Sequence, residues 1–186
     1  TGAAPLEFSN SVGMPFKEGL AFVHDALVGF GLRKDIKIIA SGKIITGFHI
    51  FRAKALGADL CYSARAMMIA LGCIQALECN KNTCPTGVAT QDPELTQGLV
   101  VSDKKVRVAH YQQDTIMSFV ELMAAAGIRD HHRLNRSMVH RRISMNTTRQ
   151  YEEIYPSVVE GCFLEGGVCP DRYKADLAKA SAESFV

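Results

Sequence analysis

A chain of 186 residues, 47% hydrophobic and 22% charged, has the size and composition of one ordinary globular core. Its formal net charge of +2 selects no strongly acidic or basic partner, and no run of about 18 apolar residues offers a membrane span. The opening Thr1-Gly2-Ala3-Ala4-Pro5 is neither basic nor followed by an apolar run, so it does not read as a signal peptide. With no Met at position 1, Thr1 reads as something other than the natural start of translation.

Residues 1–15 are rich in Gly, Ser, Pro and Asn and read as a loop. Lys17 to Leu32 carries Leu20, Val23, Leu27 and Val28 on one stripe and predicts a helix closed near Gly31. Asp35 to Ala40, with Ile36, Ile38 and Ile39, predicts a buried strand that leaves through the turn Ser41-Gly42-Lys43. Thr46 is the expected N-cap of a helix running to Leu56 and stopped by Gly57. Asp59 to Ser63 predicts a second strand, followed at once by a helix over Ala66 to Leu77. Helix–strand–helix–strand–helix is the order of parallel α/β architecture. Two strands cannot cover both faces of a parallel sheet, so this segment reads as part of a larger α/β body.

A tight loop follows over Asn80 to Pro93, then a long helix over Val106 to Ala126 with Gly127 as its stop. Beyond Arg129 the chain turns basic and loses apolar periodicity; Tyr151 to Cys169 reads as irregular, and Asp171 to Ser184 as a short terminal helix. Residues 1–130 and 131–186 are accordingly read as two parts, the second a basic, partly irregular extension.

Three of the six cysteines, Cys73, Cys79 and Cys84, fall in the run Gly72-Cys73-Ile74-Gln75-Ala76-Leu77-Glu78-Cys79-Asn80-Lys81-Asn82-Thr83-Cys84-Pro85. Without an export signal the expected compartment is the reducing cytoplasm, where clustered thiols bind metal more often than they pair. Cys73 is expected late on a helix, Cys79 just beyond it and Cys84 in the loop folding back. An iron–sulfur cluster, a zinc site lacking its fourth ligand and buried structural thiols all fit the spacing. Cys61 reads as a core thiol, and Cys162 and Cys169 as structural or free thiols.

The two strand exits form a second signal. In (β/α)8 barrels the last two strand ends commonly build a phosphate site from backbone N–H groups and a helix N-terminus. Ser41, Gly42 and Ala64 are small enough for a phosphate to approach, and Lys43 or Arg65 would neutralise it. Ordinary turns with two solvated cations fit the same residues. The basic stretch His131, His132, Arg133, Arg136, His140, Arg141 and Arg142 lacks the aromatic residues that stack on bases, so it reads as a docking or solvated face, with no nucleic acid expected.

The runs Ser41-Gly42-Lys43-Ile44-Ile45-Thr46-Gly47, Met68-Ile69-Ala70-Leu71-Gly72-Cys73 and Asn82-Thr83-Cys84-Pro85-Thr86-Gly87-Val88-Ala89-Thr90-Gln91-Asp92-Pro93 together resemble the FMN-binding domain of glutamate synthases. The opening Thr1 to Pro5 is similar to the glycine-rich loop after the sixth barrel strand of that family. The resemblance runs from Thr1 to about Asp130. It implies the C-terminal part of a (β/α)8 TIM barrel, about strands 7 and 8 with flanking helices, followed by a helical C-terminal extension. It implies FMN, with Ser41, Gly42, Lys43, Ala64 and Arg65 at its phosphate, and a [3Fe-4S] cluster on Cys73, Cys79 and Cys84. Thr1 and Gly2 are placed by it at the substrate end.

The implied reaction is reductive amination of 2-oxoglutarate to glutamate with ammonia from glutamine. It calls for the first six strands, a glutamine amidotransferase and an electron donor from outside these residues. Many relatives carry two glycines and an aspartate where Ser41-Gly42-Lys43 stands, and Gly-Thr where Ala64-Arg65 stands. This chain thus resembles the shorter, stand-alone branch of the family. An N-methylglutamate synthase component and a non-catalytic electron-transfer or assembly subunit are the other expectations; no catalytic side chain is assigned.

Overall fold

The computed structural model describes residues 5–184. Thr1 and Gly2, expected at the substrate end, lie outside the described residues. The elements in order are α1 (Leu6–Asn10), α2 (Phe16–Gly29), β1 (Ile39–Ser41), α3 (Gly47–Ala55), β2 (Leu60–Tyr62), α4 (Arg65–Ala70), α5 (Pro93–Thr96) and α6 (Val101–Ala125). Two 3-10 turns follow, His131–Arg133 and Arg136–Met138, then β3 (His140–Ser144), β4 (Thr147–Gln150), α7 (Tyr151–Ile154) and α8 (Asp171–Lys179).

β1 and β2 pair in parallel, Ile39 opposite Leu60, Ala40 opposite Cys61 and Ser41 opposite Tyr62. The right element types therefore stand in the expected parallel α/β order through residue 125. One face of this pair is closed: Ala40 is 3% exposed and belongs to a core with Leu20, Phe51, Leu56, Phe119 and Met123. The other face is open, with Ile39, Leu60 and Tyr62 exposed at 45%, 56% and 61%. α3 begins as expected at Thr46, whose backbone N–H donates to Nδ1 of His49 at 3.2 Å. It crosses α6 so closely that a Cβ on Gly47 would stand 2.4 Å from the backbone nitrogen of Phe119.

Residues 1–15, read as a loop, hold the short helix α1 over Leu6–Asn10, and three further expectations need correction. The helix after β2 ends at Ala70, not Leu77. Gly72 has φ +107°, its N–H donates to the Ile69 carbonyl, and the Cys73 N–H donates to the Met68 carbonyl. This is the glycine stop in which the two residues after the cap bond back to the last turn. Cys73 thus follows the helix rather than lying on it. Next, α6 starts at Val101, five residues before Val106. Its first turn is polar, and Asp103 there suits the positive end of the helix dipole. Last, the C-terminal extension is only partly helical: besides α7 and α8 it contains β3 and β4, an antiparallel hairpin with Arg141 opposite Arg149 and an irregularity between Arg142 and Ser144.

Residues past 130 share the same core. Leu134, Val139 and Tyr151 are buried in it. The Gly161 and Phe163 N–H groups donate to the carbonyls of Val28 and Gly29, at 3.0 and 2.9 Å. Phe163 lies edge-on to Phe30 and to Tyr173, each 5.4 Å between ring centres. A Cβ on Gly29 would run into the Phe163 ring at 2.3 Å, so this contact requires glycine there.

Candidate cofactor sites

The exits of β1 and β2 lie side by side. Parallel pairing puts Ser41 opposite Tyr62, and the Ser63 hydroxyl donates to the carbonyl of Ile44 at 2.8 Å. The turn at 42–43 and the turn at 63–65 are thereby fastened to one another. Gly42 is needed because its Cβ would meet the Phe16 ring at 2.7 Å. Lys43 adopts φ +52°, a conformation that costs a non-glycine residue about 1 kcal/mol or more. Its ammonium donates to Oδ1 of Asn10 at 2.5 Å, so it reaches back toward α1. Ser41, Ala64 and Arg65 are exposed. The five residues expected at a phosphate are thus brought to one end of the sheet, with Lys43 engaged by Asn10.

The cysteine loop is built from local hydrogen bonds. Three of its residues, Gln75, Leu77 and Asn82, have positive φ at 58°, 60° and 63°. With Lys43 they are the non-glycine residues in that region among the described residues. Such conformations persist where the surroundings over-determine them, commonly at functional sites. Asn82 is the knot: its Oδ1 accepts from the Gln91 N–H at 2.7 Å and its carbonyl from the Thr90 hydroxyl at 2.6 Å. Asp92 then caps α5, accepting from the Glu94 N–H at 2.9 Å. Gly87, at φ +72°, lets the loop press on α5: a Cβ there would be 2.4 Å from the Leu95 carbonyl oxygen.

Within this loop Cys84 is buried, and Cys73 and Cys79 are half-buried. The Thr86 hydroxyl is 3.4 Å from the Cys84 sulfur. With the backbone N–H groups of Ala89, Thr86 and Val88, it holds this thiol down to about 7, against the effect of burial. The sulfur of Cys73 accepts the Gln75 N–H at 3.4 Å. The hydroxyl and N–H groups around Cys84 favour its thiolate, the form that ligates iron. Burial pushes the Cys61 thiol up, as suits a core position.

α4 joins the two places directly. It begins at Arg65 in the second turn and ends at Ala70, two residues before Gly72 and three before Cys73. Its six residues rise about 9 Å.

The family model described as the conserved region in glutamate synthase matches residues 1–129. The chain belongs to the glutamate synthase family. It is 47% identical over 128 residues to the glutamate synthase large subunit-like protein YerD of Bacillus subtilis, the match covering 69% of this chain and 24% of that protein. It is 43% identical over 128 residues to the archaeal glutamate synthase (NADPH) of Methanocaldococcus jannaschii, covering 69% and 25%. To the glutamate synthase (NADPH) large chain of Bacillus subtilis it is 35% identical over 129 residues, covering 69% and 8%. The chain therefore spans about a quarter or less of the length of these relatives. No helix among the described residues is long and apolar enough to cross a membrane.

Sequence reasoning named the turns and the cysteines but missed what organises them. Ser63, Thr86, Asn82 and Asn10 were not singled out, although Asn82 and Thr86 lie inside the family's run. Their roles depend on contacts 2 to 33 positions away, which periodicity does not reveal.

Proposed function

We propose that this chain is the C-terminal part of a (β/α)8 barrel in an FMN- and iron–sulfur-dependent oxidoreductase that forms glutamate from 2-oxoglutarate. The observation that carries this reading is α4, whose start is the tied pair of strand exits and whose end delivers Cys73. The open face of the β1–β2 pair supports the barrel, because parallel strands are buried on both faces in a finished sheet. The relatives named as glutamate synthases support the reaction class.

Backbone groups at Ser41 to Lys43 and at Ala64 to Arg65 would hold the FMN phosphate, with Arg65 supplying the uncommitted charge. Cys73, Cys79 and Cys84 would hold a [3Fe-4S] cluster. When bound, the flavin supplies hydride transfer and the cluster one-electron transfer. This chain's own residues position both: Ser63 fixes the turns, and Thr86 with its neighbouring N–H groups makes Cys84 easier to ionise to the thiolate. The remaining strands, a source of ammonia such as a glutamine amidotransferase, and an electron donor would be supplied by other segments or subunits.

The test is anaerobic purification of the full-length protein with flavin, iron and sulfide analysis and electron paramagnetic resonance. About one FMN and three irons per chain, with iron lost in Cys84→Ser, is the expected result. Iron without flavin would instead make this an electron-transfer or assembly subunit. Flavin and iron without glutamate formation from 2-oxoglutarate would move the substrate to another amine, as in an N-methylglutamate synthase component. Absence of iron would overturn the cluster.

A further inference from the structure

Immediately past the family-matched region, Asp130, His131 and His132 bring one ligand atom each to within 4.8 Å of the other two. Local hydrogen bonding sets this up. Asp130 caps the 3-10 turn His131–Arg133, its Oδ1 accepting the His132 N–H at 2.9 Å. The tight turn then brings the two imidazoles side by side, ring centres 4.1 Å apart and tilted at 49°. Nδ1 of His131 is buried and has no hydrogen-bond partner. An orphaned buried polar atom costs about 1–3 kcal/mol, and a lone pair given to a metal removes that cost. Both imidazoles lie on the wall of a cavity of about 820 Å³ between β2, α3 and α6, lined also by Lys54, Asp59 and Tyr111.

We infer that Asp130, His131 and His132 form a binding site for a divalent transition metal ion of the zinc type, separate from the cysteine loop. Two imidazole nitrogens and one carboxylate oxygen suit zinc, cobalt or nickel, whereas calcium and magnesium favour all-oxygen shells. Tetrahedral coordination at about 2.0–2.1 Å places donors roughly 3.4 Å apart. The three groups must therefore draw in slightly, which the exposed side chains of Asp130 and His132 can do. Three protein ligands leave one position open to water or a small anion. Lys54 is the opposing charge. Its ammonium is held by the Asp59 carbonyl at 2.8 Å, and the Asp130 carboxylate offsets it. Neither His131 nor His132 falls within residues 1–129, so the site would be a property of this chain's own continuation.

The experiment loads the full-length protein with zinc chloride, desalts it, and measures zinc and iron together by plasma emission. X-ray absorption at the zinc edge then reads the ligands. Wild type should retain one zinc per chain beyond the iron, with a nitrogen and oxygen shell and no sulfur. His132→Ala and Asp130→Asn should each weaken zinc by more than about 10-fold in chelator competition, the least expected when a direct ligand is lost. Their iron content should not change. No retained zinc in wild type, sulfur in its shell, or unaltered zinc affinity in His132→Ala would each overturn the site.

Discussion

The Ser63 hydroxyl donates to the Ile44 carbonyl at 2.8 Å, and this bond fastens the exit of β2 to the exit of β1. Ile44 is 3% exposed, so its carbonyl has little access to water and depends on that donor. Ser63→Ala should cost about 1 kcal/mol of stability, the net value of one such bond. On the proposed phosphate site it should also loosen both turns and weaken FMN retention in the full-length protein. Urea unfolding and flavin release on dilution check the two effects; unchanged flavin release would remove Ser63 from the positioning of that site.

Gly47 sits where α3 meets α6, with the Phe119 nitrogen 2.4 Å and the Ser118 carbonyl carbon 2.8 Å from the place of its missing Cβ. Both atoms are backbone of a long helix and cannot swing aside. Gly47→Ala gains up to about 1 kcal/mol in helix propensity, but the overpacking costs about 1–3 kcal/mol. A lowered melting temperature is therefore expected, and a rise would show that α6 shifts freely.

The sequence was most legible where local chemistry decides. Thr46 and Gly57 placed α3 to within a few residues, whereas the run from Asp35 to Ala40, read as a buried strand, becomes strand only at Ile39, with Ile36 and Ile39 exposed because the outer face of the pair is open. Gly72 carries an equally local stop signal, but Ile74 and Leu77 continue the helical apolar pattern past it and mask that stop. The β3–β4 hairpin left no such trace. All five residues of β3 are exposed, so it lacks the alternation that marks a half-buried strand, and Arg141 opposite Arg149 is an unfavourable cross-strand pair. The family's residue runs announced the two turns and the cysteine loop. The Ser63 tie and the cavity wall at His131 join residues 19 and more positions apart, and only the folded chain brings them together.

Asp25 on α2 and Arg136 past the family-matched region form a buried bidentate pair. Arg136 Nη2 is 2.6 Å from Oδ1 and Nη1 3.2 Å from Oδ2, with side chains 3% and 2% exposed. Tyr173 donates to Oδ2 at 2.7 Å, and Arg136 Nη1 also donates to the Tyr155 carbonyl at 2.7 Å. The carboxylate thus holds Arg136 and Tyr173 on α2, and Arg136 in turn holds the Tyr155 carbonyl. Removing one partner strands a buried charge, so Asp25→Ala should destabilise by about 3–5 kcal/mol. Adding Arg136→Met should recover part of that loss, because no unpaired guanidinium is then buried. Urea melts of the single and double variants decide it; strict additivity would mean the pair is not coupled.

His24 gives the fold a pH dependence of definite sign. Its Nδ1 accepts from Nε of Arg33 at 3.1 Å. Burial first, then the Arg136 and Arg33 guanidinium groups, hold its imidazole below the usual histidine range, with Asp25 and a bond to the Gly57 backbone acting the other way. A protonated ring would lose the Arg33 bond and face that cation. The folded chain therefore resists a proton that the unfolded chain accepts once pH falls below about 6.5. The contribution is complete above that pH and declines as pH drops from there toward the lower folded value. Between pH of about 7.5 and 5.5 the loss reaches at most about 1.4 kcal/mol, the worth of one unit below 6.5. His24→Gln keeps a group able to accept from Arg33 but takes up no proton. Its urea-derived stability should fall less over the same interval than that of the wild type. Parallel pH profiles for the two proteins would show that another group carries the dependence.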